Sequence, residues 1–591
     1  MTTALKAPPA GGAFLLGPTD PSDVFTPERF TPEHLATRAA IGTFVAREVA
    51  PRAERIAAKD YAAHRELLAI LGRDGYLGID VPEAYGGLGL DHVTSIVVTD
   101  ALSAAEDFSV TYSAHSGIGT LPTVFFGTEE QKRRYLPGLA AGTLVAAYCL
   151  TEPGTGSDAQ AIKTRATRLP GGSFRLDGAK QFITNAGFAD LFTVYAQVEG
   201  EGIAAFLVER TAAGLSLGAE EHKMGLHGTS TRPVLFDGVV VGPEALLGEI
   251  GEGHKIAFNV LNVGRFKLAA GAVGGMRPQI KIGLDYAQGR VAFGRPIVEF
   301  PLVAGKLVGM AVRTYAVEAL VYRLAGMLDA RLHQVTADAS SEAARAALEE
   351  YAVECSIAKV LASEEVDWVV DELVQLHGGY GYIEDYPAAK AYRDARINRI
   401  WEGTNEINRL LIPGTLLRRA MKGRLDLLGA ARRAQEALLA PSAEAETGAG
   451  PLAAEATQVD AARQVTLLIA GAAVQRFGAA IEDQQEVLAA LADLVIQTWA
   501  MDSAVARARQ AAQAGGLAAA THADLAQLAV AERLAQVEGI AQAIAPSVAE
   551  GDDARLLQAG VRRLLRAAPL DRVALSRRVA ARIVTAGGYP V

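Results

Sequence analysis

A single glutamate in this chain combines a carboxylate with a local setting in which it could work as a base. Glu402 lies in the stretch YRDARINRIWEGTNEI (392–407), followed directly by Gly403 and Thr404. Glycine interrupts regular structure and threonine is a favoured helix N-cap, so Glu402 is expected on a break just before a helix that Thr404 caps and Pro413 stops. A carboxylate there stands outside regular structure, beside a helix N-terminus that favours anions. Such a group could take a proton from carbon. On local pattern alone the ordinary reading is a solvated glutamate in a turn.

Three other stretches could hold a ligand. YCLTEPGTGSD (148–158) combines Gly154 and Gly156, which let backbone amides approach a ligand, with the hydroxyls of Thr151, Thr155 and Ser157; that suits a flat heterocycle or a phosphate, or merely makes a turn. It is neither a Walker loop nor a Rossmann fingerprint. In GAKQFITNAG (178–187), Phe182 could lie against a ring and Thr184 could donate to it, although an aromatic and a threonine in a strand are also ordinary sheet packing. RVAFGRPI (290–297) joins a cation suited to a pyrophosphate with an aromatic suited to an adenine, or else ends a helix with a salt bridge before Pro296.

These stretches need a scaffold, and the 591 residues suffice for three or four domains. Residues 1–30 carry Pro, Gly, Thr and Asp without periodicity and read as an arm. From 31 to 147 the pattern is helical: Leu67, Leu68 and Leu71 share a face, and Thr128 opens a helix expected to run to Tyr135. Short β-rich runs separated by glycine fill 148–250, including 191–198, 204–209 and 234–241. Helical spacing returns in 251–420, where Met310, Val317, Val321, Leu324 and Leu328 recur on one face, as in a bundle. Residues 421–460 are rich in Ala, Glu, Pro and Gly and are expected to be a linker. Residues 461–591 read as an appended helical domain. The fold class is therefore mostly α with a central β-domain, followed by a helical bundle and an extra helical unit.

Composition excludes several functions. The formal charge of −10 argues against duplex nucleic acid as a partner. Two cysteines, Cys149 and Cys355, lie far apart with no ligand spacing, so no metal centre or disulfide framework is expected and a reducing cytoplasm fits. No export signal and no membrane span are expected, because no stretch reaches 18 uninterrupted apolar residues.

Taken together, TEPGTGSD, GAKxFITNAG, KMGLHGTST, the Gly264-Arg265 pair, RxxFGRPI, QLHGGYGY (375–382) and EGTNEI occur in the order and spacing of the acyl-CoA dehydrogenase family, which the chain resembles. The tail beyond residue 420 resembles the very-long-chain branch with its additional C-terminal domain. The resemblance implies an N-terminal helical domain, a β-barrel-like middle domain and a four-helix bundle. It implies FAD as cofactor, with Tyr148, Leu150, Thr151, Gly156, Ser157, Phe182 and Thr184 lining the flavin. Arg290 and Phe293 match residues reaching the FAD of a neighbouring subunit, and Gln375, Gly378 and Gly379 match its adenosine and pyrophosphate contacts. Thr404 and Glu406 match residues on the far side of the cofactor. A shared FAD implies an oligomer, in this branch a homodimer.

By the same resemblance the reaction is α,β-dehydrogenation of a fatty acyl-CoA to the trans-2-enoyl-CoA in fatty acid β-oxidation, with electron-transfer flavoprotein as acceptor. Glu402 is the implied base, its backbone amide and a ribityl hydroxyl of FAD hold the thioester carbonyl with Gly403 among the substrate contacts, and Thr184 donates to the ring that receives the hydride. Ser157, Asn262 and Arg265 are the implied substrate-side residues. Alternatives on the same scaffold are an acyl-CoA oxidase and an assembly factor that binds FAD or acyl-CoA without catalysis. Some positions depart from the family pattern: His227 replaces a common lysine or arginine, and Pro301 and Ala304 replace frequent glutamines, which weakens the adenine contact at 304.

Overall fold

The computed structural model describes residues 9–335, 341–439, 450–516 and 518–591. In the N-terminal helical unit, helix Tyr61–Arg73 turns Leu67, Leu68 and Leu71 fully into the core. Helix Glu129–Ala140 begins with a capping box between Thr128 and Gln131. It does not end at Tyr135 but passes Pro137, because Leu136 and Leu139 extend the same buried stripe.

The middle unit is one sheet. Its strands are β1 (Ala146–Cys149), β2 (Arg165–Arg168), β3 (Phe174–Thr184), β4 (Leu191–Val198), β5 (Gly202–Glu209), β6 (Leu215–Leu217), β7 (Thr231–Val241) and β8 (Leu246–Leu247). The order is β6-β7-β3-β2-β4-β5-β8, with β1 parallel to β4. Strand β4 is buried on both faces, which explains its unbroken apolar reading LFTVYAQV. The register between β3 and β7 shifts between Lys180 and Ile183, and this irregularity turns Phe182 out of the sheet.

Helices Gly253–Gly289, Pro301–Val335, Ala352–His377 and Asn405–Met421 form the bundle, with the short helix Pro387–Ala395 beside it. The first of these packs closely on helix His92–Leu102 through Gly274, where any Cβ would stand 2.0 Å from the Asp100 carbonyl.

The segment expected as a linker is partly helical. Leu427–Leu439 buries Leu427, Ala430, Ala431 and Ala434 and packs on helix Ala453–Phe477. Alanine serves here because small residues let the two helices approach: a Cβ on Gly471 would meet the Ala431 methyl at 3.1 Å. Residues 440–449 of that segment lie outside the described residues. Beyond it come helices Gln485–Ala514, Ala519–Val548, Gly551–Leu564 and Arg572–Ala586.

Among the described residues two helices, Ala453–Asp483 and Gln485–Ala514, are long and apolar enough to cross a membrane, although charged and polar residues interrupt their apolar runs. The second is mostly buried, and both carry buried charges paired across the fold. Asp502 accepts from Arg323 at 2.8 Å and from Arg463 at 3.3 Å, and Arg507 donates to Glu318 at 2.7 Å. The N-terminal arm threads between bundle and appended unit: Phe14 stacks on the fully buried Trp499, and the Gly12 amide donates to Glu354 at 2.7 Å.

Candidate functional site

Glu402 stands on a left-handed turn, with φ +58° at Glu402 and +79° at Gly403. A glutamate there stores strain of the order of 1 kcal/mol, which persists only where neighbours over-determine the backbone. They do so through its carbonyls. Arg265 Nε donates to the Glu402 carbonyl at 3.1 Å; Lys359 Nζ and Asn408 Nδ2 donate to the Gly403 carbonyl, each at 2.8 Å. Thr404 caps the next helix by accepting from the Ile407 amide. That helix is not stopped by Pro413: it runs on to Met421, because Ile412, Pro413 and Leu416 are buried and their packing offsets the missing hydrogen bond.

The carboxylate points at Gly264. A Cβ built there would stand 2.4 Å from Glu402 Oε2, so the glycine of the Gly-Arg pair is the space the carboxylate occupies. Oε2 is buried and has no hydrogen-bond partner. Burial pushes the Glu402 carboxyl up to about 7, against the opposing charges of Arg265 and Lys359. Gly264→Ala is expected to displace the carboxylate and slow any proton transfer by about 100-fold, since a shift near 1 Å is that costly. Stopped-flow kinetics of the substrate-driven absorbance change checks it, and an unchanged rate would refute the placement.

Glu402 lines a cavity of about 280 Å³. Thr184, from the end of β3, lines the same cavity. Its long wall is one stripe of helix Gly253–Gly289: Gly264, Leu268, Gly271, Gly275, Gln279 and Ile282 recur at three- and four-residue spacing. From Gly264 to Ile282 that stripe spans about 27 Å at the rise of an α-helix. Val110, Ala114, Gly117, Val366 and Val370 face it from neighbouring helices. A carboxylate half-ionised near neutrality at the head of a long, largely apolar channel can take a proton from a weakly acidic carbon whose tail fills the channel.

Other residues singled out from the sequence fall into groups. Tyr148 is close enough to Glu402 for the carboxylate to help raise its phenol, after burial, and its ring packs edge-on against Tyr195. Asn262 accepts from Arg265 at 2.9 Å, so both are buried and support the turn. Leu150 is buried, and the Thr151 carbonyl accepts from the Gln181 amide, tying the TEPGTGSD loop to β3. In that loop Ser157 is exposed, and a Cβ at Gly154 or Gly156 would meet nothing within 4 Å. Phe182 is 61% exposed at φ +60°, an uncommon state for a large aromatic.

Arg290, Gln375, Gly378 and Gly379 line a different, surface cleft of about 440 Å³, floored by the stacked rings of Tyr286 and His377. Phe293, at φ +52° in the turn of a small hairpin, projects with 95% of its surface exposed. Glu406 is exposed in the first turn after the cap. Sequence reasoning missed Lys359 and Asn405, which brace the turn from within: Lys359 sits on an ordinary buried helix face that carries no signal, whereas Asn405 lies within EGTNEI itself, where its place right after the Thr404 cap could have flagged it.

The chain matches known proteins along most of its length. A profile described as acyl-CoA dehydrogenase, N-terminal domain, matches residues 31–143, and that of the middle domain matches 147–239. Two profiles, each described as acyl-CoA dehydrogenase, C-terminal domain, match 251–417 and 461–563. A probable acyl-CoA dehydrogenase of Bacillus subtilis (strain 168) is 44% identical over 585 residues, 98% of each chain. The very long-chain specific acyl-CoA dehydrogenase, mitochondrial, of Homo sapiens is 39% identical over 349 residues, 57% of this chain and 51% of that protein. The crystal structure of an acyl-CoA dehydrogenase complexed with FAD from Bacillus anthracis superposes with a TM-score of 0.96 at 44% identity, covering 99% of this chain and 100% of that one.

Proposed function

This chain belongs to the acyl-CoA dehydrogenase family, and on that premise we propose that it is an FAD-dependent enzyme converting a long-chain fatty acyl-CoA to the trans-2-enoyl-CoA in fatty acid β-oxidation. The observation that carries the reading is the buried, unpartnered Glu402 carboxylate sharing one channel with Thr184.

The residues present fit FAD. The open backbone at Gly154 and Gly156, the outward Phe182 and the Thr184 hydroxyl offer a platform for a flat ring, and Arg290 with Gln375, Gly378 and Gly379 offers a cradle for its adenosine diphosphate end. When bound, the flavin supplies a hydride acceptor. The chain's own part is to seat the acyl tail along the Gly264–Ile282 stripe, exclude water from it, and receive the α-proton on Glu402. A half-ionised carboxylate suits this task, because its proton affinity approaches that needed while a useful fraction stays charged at neutral pH.

The tail channel supports the long-chain preference. The stripe from Gly264 to Ile282, about 27 Å long at the rise of an α-helix, offers an extended apolar wall for such a tail. The cradle stands on the surface beside the projecting Phe293, which supports a homodimer in which each chain serves the other's FAD. Electron-transfer flavoprotein as acceptor and a cytoplasmic location complete the proposal; reoxidation rates with that protein and in air separate a dehydrogenase from an oxidase, and cell fractionation tests the location.

The deciding experiment is anaerobic bleaching of the FAD-loaded protein across acyl-CoA lengths. Long saturated chains should bleach it; failure with every thioester would reject the function. The rate should also depend on pH. Because burial raises the carboxyl of Glu402 to about 7, the base is protonated and idle in acid, and bleaching should rise with pH through a midpoint near 7. A rate that is flat from about pH 5.5 to about pH 9 would contradict this protonation state.

A further inference from the structure

Lys359, on helix Ala352–His377, has no exposed surface. Its ammonium donates to the Gly403 carbonyl at 2.8 Å and to Asn405 Oδ1 at 2.7 Å. Both acceptors are neutral. A fully buried ammonium among neutral oxygens is expensive, and a nearby anion must offset it. Glu364 is one candidate, but both of its oxygens already accept from Arg409, at 2.7 and 3.0 Å. Glu406 is exposed. Glu402 is the carboxylate whose attraction acts most strongly on Lys359, ahead of Glu364 and Glu406, and it bears no hydrogen bond of its own on Oε2.

The same ammonium is part of the frame that builds the turn. Asn405 is the first residue of the helix beyond Thr404, and its side-chain amide donates to Ser363 Oγ at 3.0 Å and to Glu364 Oε1 at 2.9 Å. Lys359, Ser363 and Glu364 thus anchor one side of residues 402–405, while Arg265 anchors the Glu402 carbonyl from helix Gly253–Gly289.

We propose that Lys359 is a positioning residue for the base: its ammonium fixes the left-handed turn that aims Glu402 into the channel, and its charge favours the ionised form of that carboxylate. This rests on the reading of Glu402 as the base. The charged and titratable groups around the pair are Arg265 and Lys359 acting on Glu402, Arg265, Glu364 and Glu406 acting on Lys359, Tyr148 from β1, and Cys355 beside Arg265. Burial lowers Lys359 and raises Glu402, and the charge of each opposes the shift of the other.

The test uses FAD-loaded wild type, K359Q, K359R and E402Q. Two quantities are followed against pH: the anaerobic bleaching rate with a long-chain acyl-CoA, and the infrared carboxyl band that E402Q removes. K359Q keeps a donor to Gly403 without the charge. Its midpoint should move up by about one pH unit in both readouts, with bleaching about tenfold slower on the acid side and recovering in alkali. K359R, which keeps the charge, should retain the wild-type midpoint.

An equal loss of rate at every pH in K359Q, with the carboxyl band unmoved, would reduce Lys359 to a structural brace and overturn the proposal. A shift in K359R as large as in K359Q would do the same. Should K359Q fail to hold FAD, K359R decides: an unmoved midpoint supports the role of charge and a shift of about one unit refutes it. If wild type is bleached by no thioester, or E402Q bleaches at full speed, the base assignment fails instead, and the carboxyl band still reports whether Lys359 governs Glu402.

Discussion

Glu402→Gln is expected to retain bound FAD and to lose substrate bleaching by about 10⁴-fold, the upper range for removing a positioned base. The side chain keeps its volume, and Oε2 has no partner to lose, so packing against Gly264 survives. What disappears is the basic lone pair. The α-hydrogen of a thioester is a very weak acid, and the other carboxylates that line the cavity among the described residues, Glu106 and Asp394, are both held by Lys390. The cofactor content is read from the visible spectrum and the rate from anaerobic stopped flow. Bleaching within tenfold of wild type would remove Glu402 from the reaction.

Gly275→Leu inverts the chain-length preference. Gly275 lies on the channel stripe about 16 Å beyond Gly264 along the helix, and a Cβ there meets nothing within 4 Å, so a side chain at this position projects from the stripe toward open channel. It also gains helix propensity of up to about 1 kcal/mol over glycine, so the fold is not weakened. A tail of about eight carbons should stop short of the new side chain, whereas one of about sixteen should collide with it. The ratio of long- to medium-chain specificity, as kcat/KM with a dye acceptor, should fall by about 100-fold, in keeping with overfilling a close-packed apolar site. An unchanged ratio would place the tail elsewhere and leave the stripe along helix Gly253–Gly289 without that role.

Part of this site was legible residue by residue. The Glu-Gly-Thr order announced a break followed by a capped helix, and Thr404 does cap it. The glycine turn of TEPGTGSD and the β-rich runs after it carry their period and breaks in the string itself. Expectations failed where a tertiary contact outweighs a local preference. Pro137 and Pro413 are strong helix breakers, yet both sit inside helices whose following residues are buried. The alanine-rich stretch after 420 looked unable to support a core, yet a helix there packs because its partner offers Gly471 at the contact. Phe182 was open to two readings, ring contact or sheet packing, and a register shift that only the pairing of β3 with β7 creates turns it outward, away from the sheet.

Covalent order alone determined most of the elements, their sequence along the chain and the break that carries Glu402, because helix caps, strand alternation and glycine breaks act between residues a few positions apart. Only the folded chain decided that the carboxylate at 402 lies in the gap left by Gly264, that Lys359 grips the turn from a helix 44 residues earlier, and that a row of glycines opens a long channel. Burial and charge coupling act through space, and a proton affinity near neutrality arises from neighbours that are distant in the chain.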